Sequence, residues 1–130
     1  MSRLAALGML ALAGCSTAPA DTSRADRALA QATAGRTAGA SQRCLDQSRV
    51  QNPQIVDRRT LIYRESGRRI WVNTLPAACP SLRTDSILIV RLFGTDMCDG
   101  DRFQARQPTD IIAGPVCRLG AFTPYDRPAD

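Results

Sequence analysis

Five cysteines constrain the fold of this 130-residue chain more strongly than any other residue type. They stand at positions 15, 44, 79, 98 and 117, and no two form a C-x-x-C pair, so neither the redox nor the zinc spacing is met. An odd number of cysteines in an oxidising compartment implies that one of them takes no part in an internal disulfide. We assign this role to Cys15 and predict two structural disulfides among Cys44, Cys79, Cys98 and Cys117.

The pairing of these four cysteines has three alternatives. Pairing Cys44 with Cys79 and Cys98 with Cys117 gives sequence separations of 35 and 19 residues and the smallest combined cost of loop closure. We favour this pairing on that ground alone and leave the other two open. Each bond would stabilise a small domain by about 3 to 4 kcal/mol.

The beginning of the chain resembles the export signal of a bacterial lipoprotein. Residues 4–12 form an apolar run behind Arg3, and this run is shorter than the roughly 20 residues that a membrane span needs. The run ends in Leu12-Ala13-Gly14-Cys15, which resembles the lipobox at which such proteins are acylated on cysteine and cleaved before it. Because two or more acyl chains anchor a protein stably, the resemblance implies a signal peptide at residues 1–14 and a membrane anchor on Cys15.

The location follows from the residue after this cysteine. Ser16, rather than an aspartate, resembles lipoproteins that are passed on to the outer membrane. The expected location is therefore the cell envelope, at the outer membrane and facing the periplasm. The alternative is an ordinary secretory signal cut after Ala18-Pro19-Ala20, which would release a soluble protein without Cys15.

Residues 15–42 are predicted to be a lipidated, flexible tether. Alanine, threonine, serine, glycine and glutamine dominate the stretch, and Leu29 is its one bulky apolar side chain. Such a segment buries too little area to offset its chain entropy. The alternative is a helix over residues 25–33, with Arg24 and Arg27 facing lipid phosphates.

Residues 43–125 are predicted to be one small all-β domain, a disulfide-stabilised sheet or partly open barrel, followed by a disordered tail at 126–130. Residues 60–64 and 69–73 are predicted to be two strands of a β-hairpin joined by residues 65–68, with Gly67 suited to a positive φ in the turn. The nearly continuous apolar run at 86–93 is typical of a central strand covered on both faces. Weaker strand candidates are residues 48–50, 54–56, 101–105, 110–113 and 116–119.

The domain resembles a family of small exported proteins or lipoproteins of Gram-negative bacteria with four ordered cysteines and no established activity. The resemblance rests on Cys44-Leu45-Asp46, Arg49-Val50, Asp57, Thr60-Leu61-Ile62-Tyr63, Gly67, Ile70-Trp71-Val72-Asn73, Leu75-Pro76, Cys79-Pro80, Leu82, Cys98, Gly100-Asp101 and the series Cys117-x-Leu119-Gly120-x-Phe122-x-Pro124. The order of the cysteines and the Leu-Pro-x-x-Cys-Pro step are its most specific features. The resemblance implies the domain limits and a periplasmic location, and it implies no site residues.

A cluster of arginines around the predicted hairpin is the candidate anion-binding site. Guanidinium groups bind phosphate and carboxylate bidentately, so a polyanion such as lipopolysaccharide or a phosphorylated glycan is a reasonable ligand. The alternative is a solvated hairpin whose arginines discourage pairing between strand edges. Nucleic acid is not an expected partner of a periplasmic chain. The residues concerned are Arg58, Arg59, Arg64, Arg68 and Arg69.

Three other features are assigned structural roles. Residues 96–101 carry three aspartates, but Cys98 stands where an EF-hand needs a ligand, so we predict a turn rather than a metal site. Trp71, beside Ile70 and Val72, is expected to pack in the core. Glu65 lies at a predicted hairpin tip, which is a poor place for the cleft of a glycosidase.

Composition limits the chemistry that remains. All 17 basic residues are arginine, since the chain has no lysine and no histidine. A nucleophile activated by imidazole, a histidine-bound metal, a Schiff base and a P-loop are therefore excluded. We predict a noncatalytic, lipid-anchored envelope module that binds a protein or an envelope component, with no catalytic residue, cofactor or metal assigned. The alternative is a small periplasmic enzyme that uses aspartate and arginine.

Overall fold

The computed structural model describes residues 20–130 of the chain. The predicted signal peptide and Cys15 lie outside the described residues. None of the helices within residues 20–130 is long and apolar enough to cross a membrane.

The described part is mostly β, as the sequence predicts, with antiparallel sheets and no closed barrel. A helix α1 (Ala20–Thr33) comes first, and a 3₁₀ helix (Gln47–Arg49) follows the second strand. The strands are β1 (Thr37–Ala38), β2 (Cys44–Asp46), β3 (Gln54–Ile55), β4 (Thr60–Arg64), β5 (Arg69–Thr74), β6 (Ile87–Val90), β7 (Asp96–Cys98), β8 (Arg102–Arg106), β9 (Cys117–Arg118) and β10 (Phe122–Asp126).

The largest sheet has the strand order β1-β10-β5-β4-β3 and is built around the predicted hairpin. Strands β4 and β5 pair antiparallel from Thr60–Thr74 to Arg64–Ile70, which confirms the hairpin. Its turn differs in one detail, because Gly67 does not have a positive φ. Both faces of this sheet are covered, so nearly all of β4 and β5 is buried.

The main core lies between one face of this sheet and the two smaller sheets. Leu61, Tyr63 and Trp71 point into it from the five-stranded sheet, where alternation puts them on the same face. Strands β2 and β7 form a two-stranded sheet, and β6, β8 and β9 form a three-stranded sheet in the order β6-β8-β9. Phe103 from β8 and Met97 from β7 fill the other side of this core. The burial of Trp71 agrees with its predicted packing role.

Helix α1 covers the opposite face of the five-stranded sheet, so the flexible tether predicted for this segment is wrong from residue 20 onward. Alanines at helical spacing, together with Leu29, pack against β4 and β5. Because small side chains let the helix lie close to the sheet, a stripe of alanines is enough to hold the helix there. The contacting residues are Ala25, Ala28, Leu29 and Ala32 on the helix and Val56, Ile62, Ile70, Val72 and Tyr125 on the domain.

The ordered domain therefore extends beyond the predicted limits of 43 and 125. Strand β1 pairs with β10, and the backbone of Gln42 exchanges two hydrogen bonds with that of Phe122. At the other end, Asp126 still belongs to β10, and the Arg127 N–H donates to the Arg68 carbonyl at 3.0 Å. Pairing with β10 thus orders residues that composition marked as tether and tail.

The apolar run at 86–93 gives an edge strand rather than the predicted central one. Strand β6 lies at the end of the three-stranded sheet, with Leu88 and Val90 against the core and Ile87 and Ile89 exposed. One covered face is enough to hold a strand that pairs on one side with β8. Among the weaker candidates, residues 47–49 form the 3₁₀ helix and residues 110–113 form no strand.

The two predicted disulfides are present, but with a connectivity that differs from the favoured one. Cys44 bonds Cys98 and Cys79 bonds Cys117, at sequence separations of 54 and 38 residues. Cys44 and Cys98 are direct partners in the antiparallel pair of β2 and β7, with Cα atoms 4.0 Å apart. Loop-closure cost did not predict the connectivity, because the register of β2 and β7 places Cys44 beside Cys98 whatever the length of the loop between them.

Candidate anion-binding surfaces

The five predicted hairpin arginines do not form one patch. Arg58 and Arg59 precede β4, while the other three lie at the turn end of the hairpin. A strand advances about 3.3 Å per residue, so the five steps from Arg59 to Arg64 separate the two groups by about 17 Å. The structure therefore replaces one site with two distinct ends of the same hairpin.

At the turn end, Arg69 is committed to structural contacts. Its guanidinium donates two hydrogen bonds of 2.7 Å to the Asp126 carboxylate, and it lies 5.4 Å from the centre of the Trp71 ring. The hydrogen bonds from Arg69 lower the pKa of Asp126 below its ordinary value. A guanidinium held this way has little capacity for an external anion.

Arg36 adds a positive charge at the same end that the sequence did not point to. Its guanidinium donates to the carbonyls of Gly67 and Arg68 in the turn. Partial desolvation lowers its pKa, and the charges of Arg127 and Arg64 lower it further. Several arginines therefore lie close together at the turn end, and part of the hydrogen-bonding capacity of the Arg36 guanidinium is taken up by backbone carbonyls.

At the other end of the hairpin, a groove of about 700 Å³ opens beside the beginning of α1. We call it the helix-start groove. Four of its lining residues are arginines: Arg24 in α1, Arg58 and Arg59 before β4, and Arg83 after β5. Asp57 also lines it, and one of its carboxylate oxygens accepts the Arg59 backbone N–H at 2.7 Å. Arg83 has a loose contact of 3.8 Å with the exposed carboxylate of Asp85.

A second basic surface crosses the three-stranded sheet on its solvent face. The Arg91 N–H donates to the Arg102 carbonyl at 2.9 Å, and Arg102 is the register partner of Arg118. Their neighbours Val90 and Phe103 point into the core, so alternation turns the arginines outward. These three residues, which we call the arginine row, line a concavity of about 630 Å³.

The arginine row is not neutralised by the protein. Within residues 20–130 no ion pair involves Arg91, Arg102 or Arg118, although Arg118 donates to the Gly100 carbonyl at 2.9 Å. Asp101 is the acidic residue of the concavity, and its Oδ2 accepts the Cys98 N–H at 2.7 Å. Like charges directly opposite on a sheet are destabilising, so this arrangement costs stability.

Exposed apolar side chains border the arginine row. Phe93 is 94% exposed and Val116 is 58% exposed, and both line the same concavity. Ile89 of β6 precedes Arg91 by two residues and so lies on the same face, and it is 43% exposed. A surface that joins three cations to exposed apolar groups suits an amphipathic anion.

The other acidic residues that the sequence analysis considered make contacts within the domain. Of residues 96–101, which are predicted to form a turn, 96–98 instead form β7, and the turn follows this strand, with a φ of 90° at Gly100. In the described part of the chain, no group of acidic residues or cysteines could hold a metal ion. Glu65 joins the hairpin to the rest of the domain, because its carboxylate contacts Arg49 and accepts the Trp71 indole N–H at 2.7 Å.

Two buried side-chain oxygens lack a hydrogen-bond partner within residues 20–130, the Tyr63 hydroxyl and Gln107 Oε1. Tyr63 borders a cavity of about 120 Å³. Burial raises the pKa of Tyr63 well above its ordinary value, so the phenol stays protonated. The side chain fills the core, where its ring also contacts that of Phe122.

The arginine row is not evident in the sequence because its members are far apart along the chain. A local signal was present in β8, where Arg102, Gln104 and Arg106 alternate with Phe103 and Ala105. That pattern marks a strand with one polar face. Its alignment with Arg91 and Arg118 depends on strand pairings that the sequence did not disclose.

The fold and its surfaces define a small, disulfide-stabilised, mostly β protein with two basic surfaces. The chain belongs to DUF6491, a family of unknown function, whose model matches residues 1–129. No curated protein and no solved structure matches the chain. The family match covers the whole of the domain to which the resemblance extends.

Proposed function

We propose that this protein is a noncatalytic module of the cell envelope, anchored by lipid on Cys15 and resting on anionic headgroups through the helix-start groove. The observation that carries the proposal is the position of the groove. Its arginines surround the beginning of α1, which is the end of the described domain nearest to Cys15 in the chain. The anchor and the basic groove would therefore meet the same membrane.

Chain length supports this arrangement. Ala20, where α1 begins, follows Cys15 by five residues. An extended chain spans at most about 3.6 Å per residue, so the helix would begin within about 18 Å of the acylated residue. A linker this short keeps the helix-start groove close to the headgroups.

Electrostatics supports it as well. A basic side chain near an anionic membrane surface contributes about 1 kcal/mol, and the attraction falls off within a Debye length. Arg24, Arg58 and Arg83 are exposed, and each can approach such a surface. Added to acyl chains, this attraction would fix the orientation of the domain on the membrane.

The carboxylates of the domain favour a noncatalytic role over an enzyme. Glu65 accepts a hydrogen bond from the Trp71 indole, Asp101 from the Cys98 backbone and Asp126 from the Arg69 guanidinium. Asp46 accepts from the backbone and hydroxyl of Ser48, which lowers its pKa. General acid–base catalysis needs a group whose pKa lies near the working pH, and Asp46 and Asp126 are shifted away from it.

The anchor is tested by metabolic labelling with a fatty-acid probe in cells. We expect the parent to be labelled and to remain with the membranes, because Cys15 accepts the acyl chains. The Cys15→Ser variant should lose the label and accumulate as unprocessed precursor. If the parent protein is unlabelled and its mature amino terminus lies after Ala20, the secretory alternative is supported and the proposal is overturned.

A further inference from the structure

We infer that the arginine row is the binding site for a phosphorylated glycolipid. This inference goes beyond the proposed anchoring and does not rest on it. The row lies on the three-stranded sheet, whose other face packs into the main core, while α1 covers the far face of the five-stranded sheet. The arginine row and the helix therefore lie on opposite sides of the layered domain.

The spacing of the row fits phosphate groups. Neighbouring strands lie about 4.8 Å apart, so the three backbones that carry the row span about 10 Å. A guanidinium binds a phosphate through two parallel N–H donors, and this geometry is more specific than a point charge. Bound phosphates would also relieve the repulsion between Arg91, Arg102 and Arg118 that the protein leaves uncompensated.

The apolar border of the row distinguishes a glycolipid from a simple polyanion. Phe93 offers an open aromatic face on which the C–H side of a sugar ring can pack. Val116 and Ile89 offer further apolar area, which suits acyl chains. A phosphate polymer without apolar groups would leave these side chains unused.

The binding experiment uses the full chain with Cys15→Ser in zwitterionic detergent micelles, so that no variant carries its own acyl chains. Lipopolysaccharide, phosphatidylglycerol and deacylated, phosphorylated core oligosaccharide are titrated separately by calorimetry. We expect lipopolysaccharide to bind more tightly than either of the other two probes. Each of those supplies phosphate but lacks the sugar or the acyl chains.

Two triple variants with the same change in charge test the site. Replacing Arg91, Arg102 and Arg118 by glutamine should weaken lipopolysaccharide binding at least about tenfold, because charge-assisted contacts are lost. Replacing Arg24, Arg58 and Arg83 by glutamine should change it less than about twofold, since these arginines lie at the other surface. Phe93→Ala should weaken it by about threefold without changing the charge.

Thermal unfolding checks that the variants are folded. The row variant should melt at or above the temperature of the parent, because three like charges have been removed from one face. If it fails to fold, Arg102→Gln alone and Phe93→Ala carry the test. The inference is overturned if the row variants bind like the parent, if both triple variants lose affinity equally, or if phosphatidylglycerol binds as tightly as lipopolysaccharide.

Discussion

The side chain of Asn73 and the backbone of Gly120 bind each other through two hydrogen bonds in the buried interior. The Asn73 amide donates to the Gly120 carbonyl at 2.7 Å, and the Gly120 N–H donates to Asn73 Oδ1 at 2.9 Å. The pair ties β5 to the segment that leads into β10. It satisfies polar groups that would otherwise be buried without partners.

Replacing Asn73 by leucine, which has a similar size, should therefore destabilise the domain strongly. Both backbone groups of Gly120 would lose their partners, at a cost of about 1 to 3 kcal/mol each. Urea unfolding measures the loss, and Thr74→Ala at the neighbouring exposed position is the control. A leucine variant as stable as the parent would show that water or another group replaces the amide.

Gly120 should tolerate no side chain. A Cβ atom on this residue would lie 1.9 Å from the Thr74 carbonyl oxygen, which is a backbone atom and cannot turn away. Gly120→Ala should therefore move β10 away from β5 and lower the melting temperature sharply. Gly67→Ala is the matched control, because a Cβ there meets nothing within 4 Å. Equal melting temperatures for the two variants would contradict this account.

The disulfide connectivity can be read from one digest. Trypsin cleaves after arginine and places each cysteine of the domain in its own peptide, namely 44–49, 70–83, 92–102 and 107–118. Without reduction, we expect 44–49 linked to 92–102 and 70–83 linked to 107–118. A link between 44–49 and 70–83 would mean that the register of β2 and β7 is wrong.

Some of this fold is predictable from the sequence because it is local. The hairpin of β4 and β5 joins two runs rich in β-branched and aromatic residues through a four-residue turn, so neighbours in the chain determine it. The packing of α1 is not local, because a stripe of alanines gives a weak apolar signal until the sheet is present. Strand β10 contains Pro124, which conceals a strand that lies within the five-stranded sheet.

The candidate sites divide in the same way. The arginines at 58–69 attract attention because they are close in sequence, although the strand between them separates them in space. Arg91, Arg102 and Arg118 come from three segments and meet only when β6, β8 and β9 pair. The arginine row and the disulfide between Cys44 and Cys98 both depend on the register of paired strands, which is not evident from the sequence.

The ion pair of Arg69 and Asp126 predicts a pH dependence of stability. Because the pKa of Asp126 is lowered in the folded state, the pair contributes fully above the ordinary aspartate value of 3.8 and is lost as pH falls through the lower folded value. Asp126→Asn should therefore show a smaller loss of stability on acidification than the parent. Thermal melts at a series of acidic pH values measure this, and identical profiles for the two proteins would contradict it. Asp46, whose pKa is also lowered, contributes to both profiles alike.

The orientation of the anchored domain tests the proposed function most directly, and hydrogen–deuterium exchange measures it. The acylated protein is reconstituted in vesicles of phosphatidylcholine, with and without phosphatidylglycerol. We predict slower exchange at residues 56–59 and 82–84, in the helix-start groove, when the anionic lipid is present, and no change at residues 91–93 and 116–118 around the arginine row. The account would be contradicted if the groove residues exchanged equally fast on both kinds of vesicle. It would also be contradicted if the anionic lipid slowed exchange around the arginine row and not in the groove.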